Sequence, residues 1–254
     1  MKILVCVKRV PFTGGKMVLN VDSTALETRH LGFTISPHEE CGVEEAVRII
    51  EAGGGESVVL TLGPGEAVEQ LRDAMALGID RAILLQTDGA EWDGEATAAA
   101  IVEAIRADEA ASGPFDLIFF GNESADAGGY QVGLRVAHAL GRPCATGLKA
   151  VKVEGGSVRC EQDTGAGRDV YVLQLPAVVT VKEGLNLPRY PSVPGRMRAA
   201  RKAVATVTPS RTESHLRLVK LAVPGGGGRR AESLGTGAAA APAVVEMMRK
   251  AGIV

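Results

Sequence analysis

The chain has 254 residues, of which 46% are hydrophobic and 23% charged, enough to bury the core of one large α/β domain with an appendage. Lys plus Arg at 28 against Asp plus Glu at 30 leaves a formal charge of −2, which excludes a global field favouring nucleic acid. The cysteines Cys6, Cys41, Cys144 and Cys160 are scattered without a C-x-x-C pair, which argues against zinc or iron–sulfur ligation and for reduced thiols.

No apolar run approaches the ~20 residues that span a bilayer, and the opening MKILVCVKRV reads as a strand followed by charge without a signal-peptide cleavage site. A cytoplasmic location is expected, with no membrane span and no nucleic-acid partner.

In chain order, the first apolar run is Ile3 to Val7. A helix then follows Ser36-Pro37, from His38 to Glu51, with Val43, Ala46, Val47 and Ile50 at 3, 4 spacing. Ser57 to Leu62, Arg81 to Leu85 and Leu117 to Gly121 read as further buried strands, separated by helices over Gly65 to Leu77 and Glu95 to Asp108. Val132 to Leu140 forms a fourth helix closed by Gly141. This alternation predicts a mostly parallel sheet with helices on both faces, a three-layer Rossmann-like α/β fold.

After Gly147 the pattern changes. Leu148 to Val153, Val158 to Gln162 and Asp169 to Gln174, separated by Gly-rich turns, predict an antiparallel hairpin extension on one edge. Pro176 precedes Ala177 to Val181, a run apolar enough for a central strand. Pro188, Pro191 and Pro194 then make Asn186 to Val193 extended, stiff and unable to join a ladder, ahead of a basic helix reaching Lys202. Arg189, Arg196, Arg198, Arg201 and Lys202, interleaved with Tyr190, Val193 and Met197, suit either a docking face for an acidic protein or a solvated connection.

From Ala203 onward the core thins. Leu216 to Val223 reads as an exposed strand, Gly225 to Gly228 as a linker and Pro242 to Lys250 as a short helix. The expected organisation is an α/β domain over 1–202, carrying a loop at 185–198, and an extended C-terminal arm over 203–254.

Ligands of open parallel sheets bind beyond the carboxyl ends of the strands. That rule nominates Val7 to Val10, Ser36 to Glu40, Leu62-Gly63-Pro64 and the segment GNESADAGGYQVG from Gly121 to Gly133. The last runs from strand into helix with Gly128 and Gly129 for backbone freedom. The amides of Tyr130 to Gly133 then make either a phosphate cradle or an ordinary helix-opening turn. It is neither a G-x-G-x-x-G fingerprint nor a Walker loop.

The run Leu175-Pro176-Ala177-Val178-Val179-Thr180, then Leu185-Asn186, Pro188-Arg189-Tyr190, Pro194, Met197 and Ala199 at this spacing resemble the beta subunit of electron transfer flavoprotein. Asp169 stands where that family has Glu or Gln, Tyr171 where it has an aliphatic residue, and Gly195-Arg196 replace a polar and aliphatic pair.

The resemblance implies an adenine-nucleotide alpha-hydrolase-like fold and a heterodimer with an alpha subunit that holds most of a shared FAD. It implies AMP, or a second FAD, in a beta-subunit site comprising Val7, Lys8, Ser36, Glu40, Leu62, Gly63, Asp126, Gly128, Gly129, Tyr130, Gln131, Val132 and Gly133. It further implies a recognition loop docking dehydrogenases through Tyr190, Val193, Pro194, Met197 and Arg198, with electrons passing on to a quinone reductase or related acceptor. Lys8 to Gly15 corresponds to the segment nearest the flavin, through Phe12 or Thr13, and the C-terminal arm to a segment lying on the alpha subunit.

His30, His38, His138 and His215 are far apart, and no H-E-x-x-H, G-x-S-x-G or paired-carboxylate motif is present. That absence fits the electron-carrier subunit, not an enzyme, that the resemblance implies, with its cofactor supplying the chemistry. A stand-alone adenine-nucleotide sensor on the same sheet is the alternative.

Overall fold

The computed structural model describes residues 1–254 except 13, 15, 16, 217 and 224–231. The expected Thr13 contact, the Gly15 turn and the Gly225 to Gly228 linker thus lie outside the described residues.

The main sheet is assembled from β1 (Lys2–Cys6), β4 (Glu56–Gly63), β5 (Arg81–Gln86), β6 (Leu117–Gly121), β7 (Cys144–Glu154), β8 (Ser157–Asp163), β9 (Arg168–Gln174), β10 (Ala177–Val181) and β11 (Val204–Val207). A separate two-stranded ribbon pairs β2 (Val10–Pro11) with β3 (Phe33–Thr34). The helices are α1 (Pro37–Gly53), α2 (Val68–Leu77), α3 (Gly94–Ser112), α4 (Val132–Leu140), α5 (Val193–Arg201) and α6 (Ala241–Lys250).

The strand order is β11-β5-β4-β1-β6-β10-β7-β8-β9, parallel from β11 to β7 and antiparallel through β8 and β9. The chain leaves β1 through α1 to β4 and through α2 to β5. It then crosses by α3 to β6, on the opposite flank of β1. The order therefore reverses between β1 and β6, the point at which such sheets open a ligand crevice.

Successive residues of β1 serve opposite layers, as a period of two requires: Ile3 and Val5 pack toward α1 and α2, Leu4 and Cys6 toward α3 and α4. The fold is thus the expected three-layer Rossmann-like sandwich. β7 pairs with β10 through Cys144 and with β8 through Val151, and Gly147, at φ 65°, marks the bend between its two roles.

Two local expectations change. Val204–Val207, read with the C-terminal arm, is a strand of the main sheet paired in parallel with β5. Leu216 to Val223, expected as a strand, has none among its described residues. Leu216, Leu218, Val219 and Val223 are exposed, and Leu221 is half-buried with its N–H on Ser23 O at 2.7 Å.

Residues 182–192 have no regular structure and lie as a strap over α1. Asn186 Nδ2 donates to Cys41 O at 3.0 Å and to Glu45 Oε2 at 2.9 Å. Arg189 forks onto Glu44 (Nε, 2.9 Å) and Glu51 (Nη1, 2.7 Å). Glu44 is only 1% exposed. Burial alone would raise its pKa, but hydrogen bonds from Arg189 and Arg48 hold it below the ordinary value.

Arg189 is therefore a structural anchor and not a free cation of the docking face. Lys202 is likewise committed, its Nζ donating to Ile79 O at 2.7 Å. α5 begins at Val193 itself, capped by Ser192, whose hydroxyl accepts from Gly195 N at 3.1 Å. At the other end of α5, Arg72 Nη1 donates to Ala199 O at 2.7 Å and Ala200 O at 3.0 Å.

A Cβ on Gly195 would stand 2.5 Å from Ala76 O on α2. Gly195→Ala should therefore push α5 off α2 and cost about 1–3 kcal/mol, read as a lowered midpoint in urea unfolding; an unchanged midpoint would remove this packing constraint.

Candidate functional site

The end of β1, the N-terminus of α1 and the loop after β6 converge at the switch point. Ser36 caps α1 and forms a capping box with Glu39: Glu39 N donates to Ser36 Oγ at 3.3 Å and Ser36 N to Glu39 Oε2 at 2.9 Å. Glu39 Oε1 also accepts the Lys8 amide at 3.0 Å. One buried carboxylate thus satisfies donors from two segments. Burial pushes its pKa up to about 8, against the opposing pull of those two backbone donors.

Lys8 extends from β1 to Glu91 Oε1 at 2.6 Å and Asp126 Oδ2 at 2.8 Å. Burial would lower its pKa, but the two carboxylates outweigh it and raise it. Asp126 answers in the opposite sense: burial raises it, and Lys8 brings it below its usual value. Beside this pair lies an open cleft of about 310 Å³ lined by Ser36, His38, Glu123, Asp126, Gly128 and Glu183, among others.

Of the residues singled out from the sequence, Lys8, Ser36, Asp126 and Gly128 are brought together here. Val7 is buried just behind, its N–H on Leu60 O at 2.9 Å and its carbonyl accepting from Thr61 Oγ1 at 2.7 Å. Leu62 and Gly63 end the neighbouring β4 and do not line the cleft. Glu40 also stays outside the lining, its pKa raised by partial burial and by Glu183.

Gly129, Tyr130, Gln131, Val132 and Gly133 follow the lining segment and open α4. Gln131 provides no side-chain cap, whereas α1, α3 and α5 are capped by Ser36, Asp93 and Ser192. The first amides of α4 are thus left without a side-chain acceptor. Gly133 has a packing role, since a Cβ there would lie 2.9 Å from Thr180 Cγ2. Tyr130 takes a left-handed φ of 56°, as does Gly128 at 56°, and the neighbouring Glu123 raises the pKa of its hydroxyl.

Sequence reasoning missed Glu39, His38 and Glu123. Glu39 was detectable, because S-x-x-E at Ser36 to Glu39 is the capping-box pattern. His38 and Glu123 carry no such pattern and meet only through the fold. On the strap and α5, where docking residues were expected, Leu187, Tyr190, Val193 and Met197 are exposed, with Val193 at 72%, and Pro194 and Arg198 beside them are exposed as well. Among the described residues, no group of three or more His, Cys, Asp or Glu is gathered as a metal set, and no helix is long and apolar enough to cross a membrane.

This architecture defines a Rossmann-like three-layer protein with a cleft at its switch point and an apolar face carried on a strapped helix. The model of the electron transfer flavoprotein domain matches residues 24–212. The chain is similar to the electron transfer flavoprotein subunit beta of Syntrophomonas wolfei, 36% identical over 225 residues, covering 88% of this chain and 86% of the relative. It is also similar to that of Bacillus subtilis (33% identical; 80% and 77% covered) and of Mycobacterium bovis (34%; 81% and 78%). The chain belongs to the electron transfer flavoprotein family, as a beta subunit, and carries that family's electron-transfer role.

Glu39 sets a pH dependence. Its folded pKa near 8 lies above its ordinary value of 4.5, so the folded state holds the extra proton between those limits. Stability from this group is greatest at low pH and falls as pH rises toward 8. Glu39→Gln loses one backbone acceptor at every pH but does not titrate. Urea unfolding of the two proteins at pH 5 and pH 8 should show the variant gaining on the wild type with rising pH, by on the order of 3 kcal/mol at most; a constant difference would refute the assignment.

Proposed function

We propose that the chain is the beta half of a heterodimeric electron transfer flavoprotein. Its switch-point site holds AMP or a second FAD, and its strapped helix docks flavin-dependent dehydrogenases. The observation that carries the nucleotide reading is the cleft between the end of β1 and the loop after β6, bordered by Lys8 and Asp126 and followed in sequence by the uncapped start of α4.

Uncapped amides and a helix dipole favour an anion, and Lys8 offers an ammonium that a phosphate would share with Glu91 and Asp126. The Asp126 and Glu123 carboxylates suit hydroxyl or amine donors of a nucleoside. The residues present therefore fit a nucleotide, with Lys8 and the amides of Gln131 to Gly133 toward phosphate. Ser36, His38, Gly128 and Glu183 form the surrounding wall, with Glu40, Leu62 and Gly63 outside it.

FAD shared with the alpha subunit supplies the redox chemistry. This chain contributes placement, with Phe12 exposed on the segment read as facing the flavin. α6 buries none of its residues, and its exposed Val244, Val245 and Met247 fit an arm that packs on the alpha subunit. Electrons collected from the dehydrogenase pass to a quinone reductase or related acceptor, and the carrier works in the cytoplasm. A stand-alone nucleotide sensor would not need the exposed apolar face of Leu187, Tyr190, Val193 and Met197.

Mass spectrometry of what the denatured alpha–beta complex releases tests the site. One FAD with one AMP supports a simple carrier and two FAD a second-flavin carrier, whereas a single FAD alone sinks the nucleotide reading. Lys8→Ala should lower retention of the second nucleotide about tenfold, the loss of one charge-assisted contact.

For docking, Val193→Ala should slow reduction by the cognate dehydrogenase several-fold, on the scale of a truncated interface anchor, and leave bound nucleotide unchanged. Equal reduction rates would reject Val193 as that anchor.

A further inference from the structure

His38 stands where the cleft and the strap meet. Its Nδ1 accepts the Glu183 amide at 2.7 Å, and its Nε2 lies 3.3 Å from Glu123 Oε1. A ring nitrogen that accepts an N–H carries no proton, so these partners select the tautomer that donates from Nε2 to Glu123.

Each partner belongs to a different functional segment. Glu183 opens the strap: its carbonyl accepts from Lys149 Nζ, and Gly184 then turns the chain at φ 85° onto α1. Glu123 opens the loop that leads to α4. Its carbonyl accepts from Ser36 Oγ at 3.3 Å. Glu123, His38 and Glu183 all line the cleft.

We infer that His38 is a positioning residue that couples occupancy of the cleft to the order of the docking strap. A ligand that fixes Glu123 also fixes the imidazole, and the imidazole fixes the Glu183 amide from which the strap departs. Coupling of this kind requires a differential contact at each end, and one rigid ring supplies both. The inference rests on the reading of the cleft as a nucleotide site.

The test uses the chain in complex with its alpha subunit, stripped of nucleotide and then supplied with AMP. Hydrogen exchange is followed at the amides between Glu183 and Tyr190. In the wild type, AMP should slow exchange there about threefold or more.

His38→Asn keeps an acceptor near the Nδ1 position and loses the reach to Glu123. It should retain the basal protection of the Glu183 amide but lose the AMP response. His38→Gln keeps the reach to Glu123 and loses the acceptor, so it should lose both. A purely structural histidine would change basal protection alike in both variants and leave the AMP response intact.

The inference is overturned if His38→Asn responds to AMP as the wild type does, or if the wild-type strap is unmoved while AMP is bound. Bound AMP is scored separately by mass spectrometry of the denatured complex. Failure of AMP to bind at all identifies the cleft reading as the fault and removes the coupling with it.

Discussion

A single buried carboxylate, that of Glu39, fixes the geometry on which the rest of the site depends. It closes the capping box of α1 and at the same time accepts the amide of Lys8, one step beyond the first strand. Gly121, at the end of β6, makes this possible: a Cβ there would lie 2.7 Å from Glu39 Cγ. The exits of β1 and β6 and the start of α1 are thereby brought to one point. Losing this acceptor would strand two backbone donors in a dry interior, the expensive direction of the hydrogen-bond ledger.

α1 carries that fixed point outward. Its first turn faces the crevice through Ser36, His38 and Glu39, and its next turns hold the strap through Cys41, Glu44, Glu45 and Glu51. Glu44 is the second buried acid on the helix, and it is tolerated because Arg189 and Arg48 surround it. The strap therefore has a defined path before it reaches α5, and α5 is fixed again by Gly195 against α2 and by Arg72 at its carbonyl end. An apolar face held at both ends presents Val193 and Met197, four residues apart on one helix, with little ordering left to do on contact.

The sheet was legible because its strands are apolar runs of the right length, and the helices because their apolar residues recur at 3 and 4. β11 was not legible. Val204–Val207 is short and mostly exposed, and its membership depends on an open edge at β5 that no local pattern announces. Leu216 to Val223 shows the converse: apolar residues alternate there, but its described residues join no strand. Arg189 read as one more basic residue of a docking face because its partners, Glu44 and Glu51, lie more than a hundred residues away. Glu40 was singled out by resemblance, whereas Glu39, the capping-box residue one position earlier, reaches the interior.

The loop from Glu123 to Gln131 is where local preference and fold disagree most. A left-handed φ costs little at Gly128 but on the order of 1–2 kcal/mol at Tyr130. Glu123, in the same loop, meets His38, and His38 in turn touches the base of the strap. A strained turn held by a few polar contacts has more than one accessible arrangement, whereas the strands beneath it, packed on both faces, have one. The strands packed on both faces thus keep in register the rim where the cleft, the imidazole and the strap adjoin.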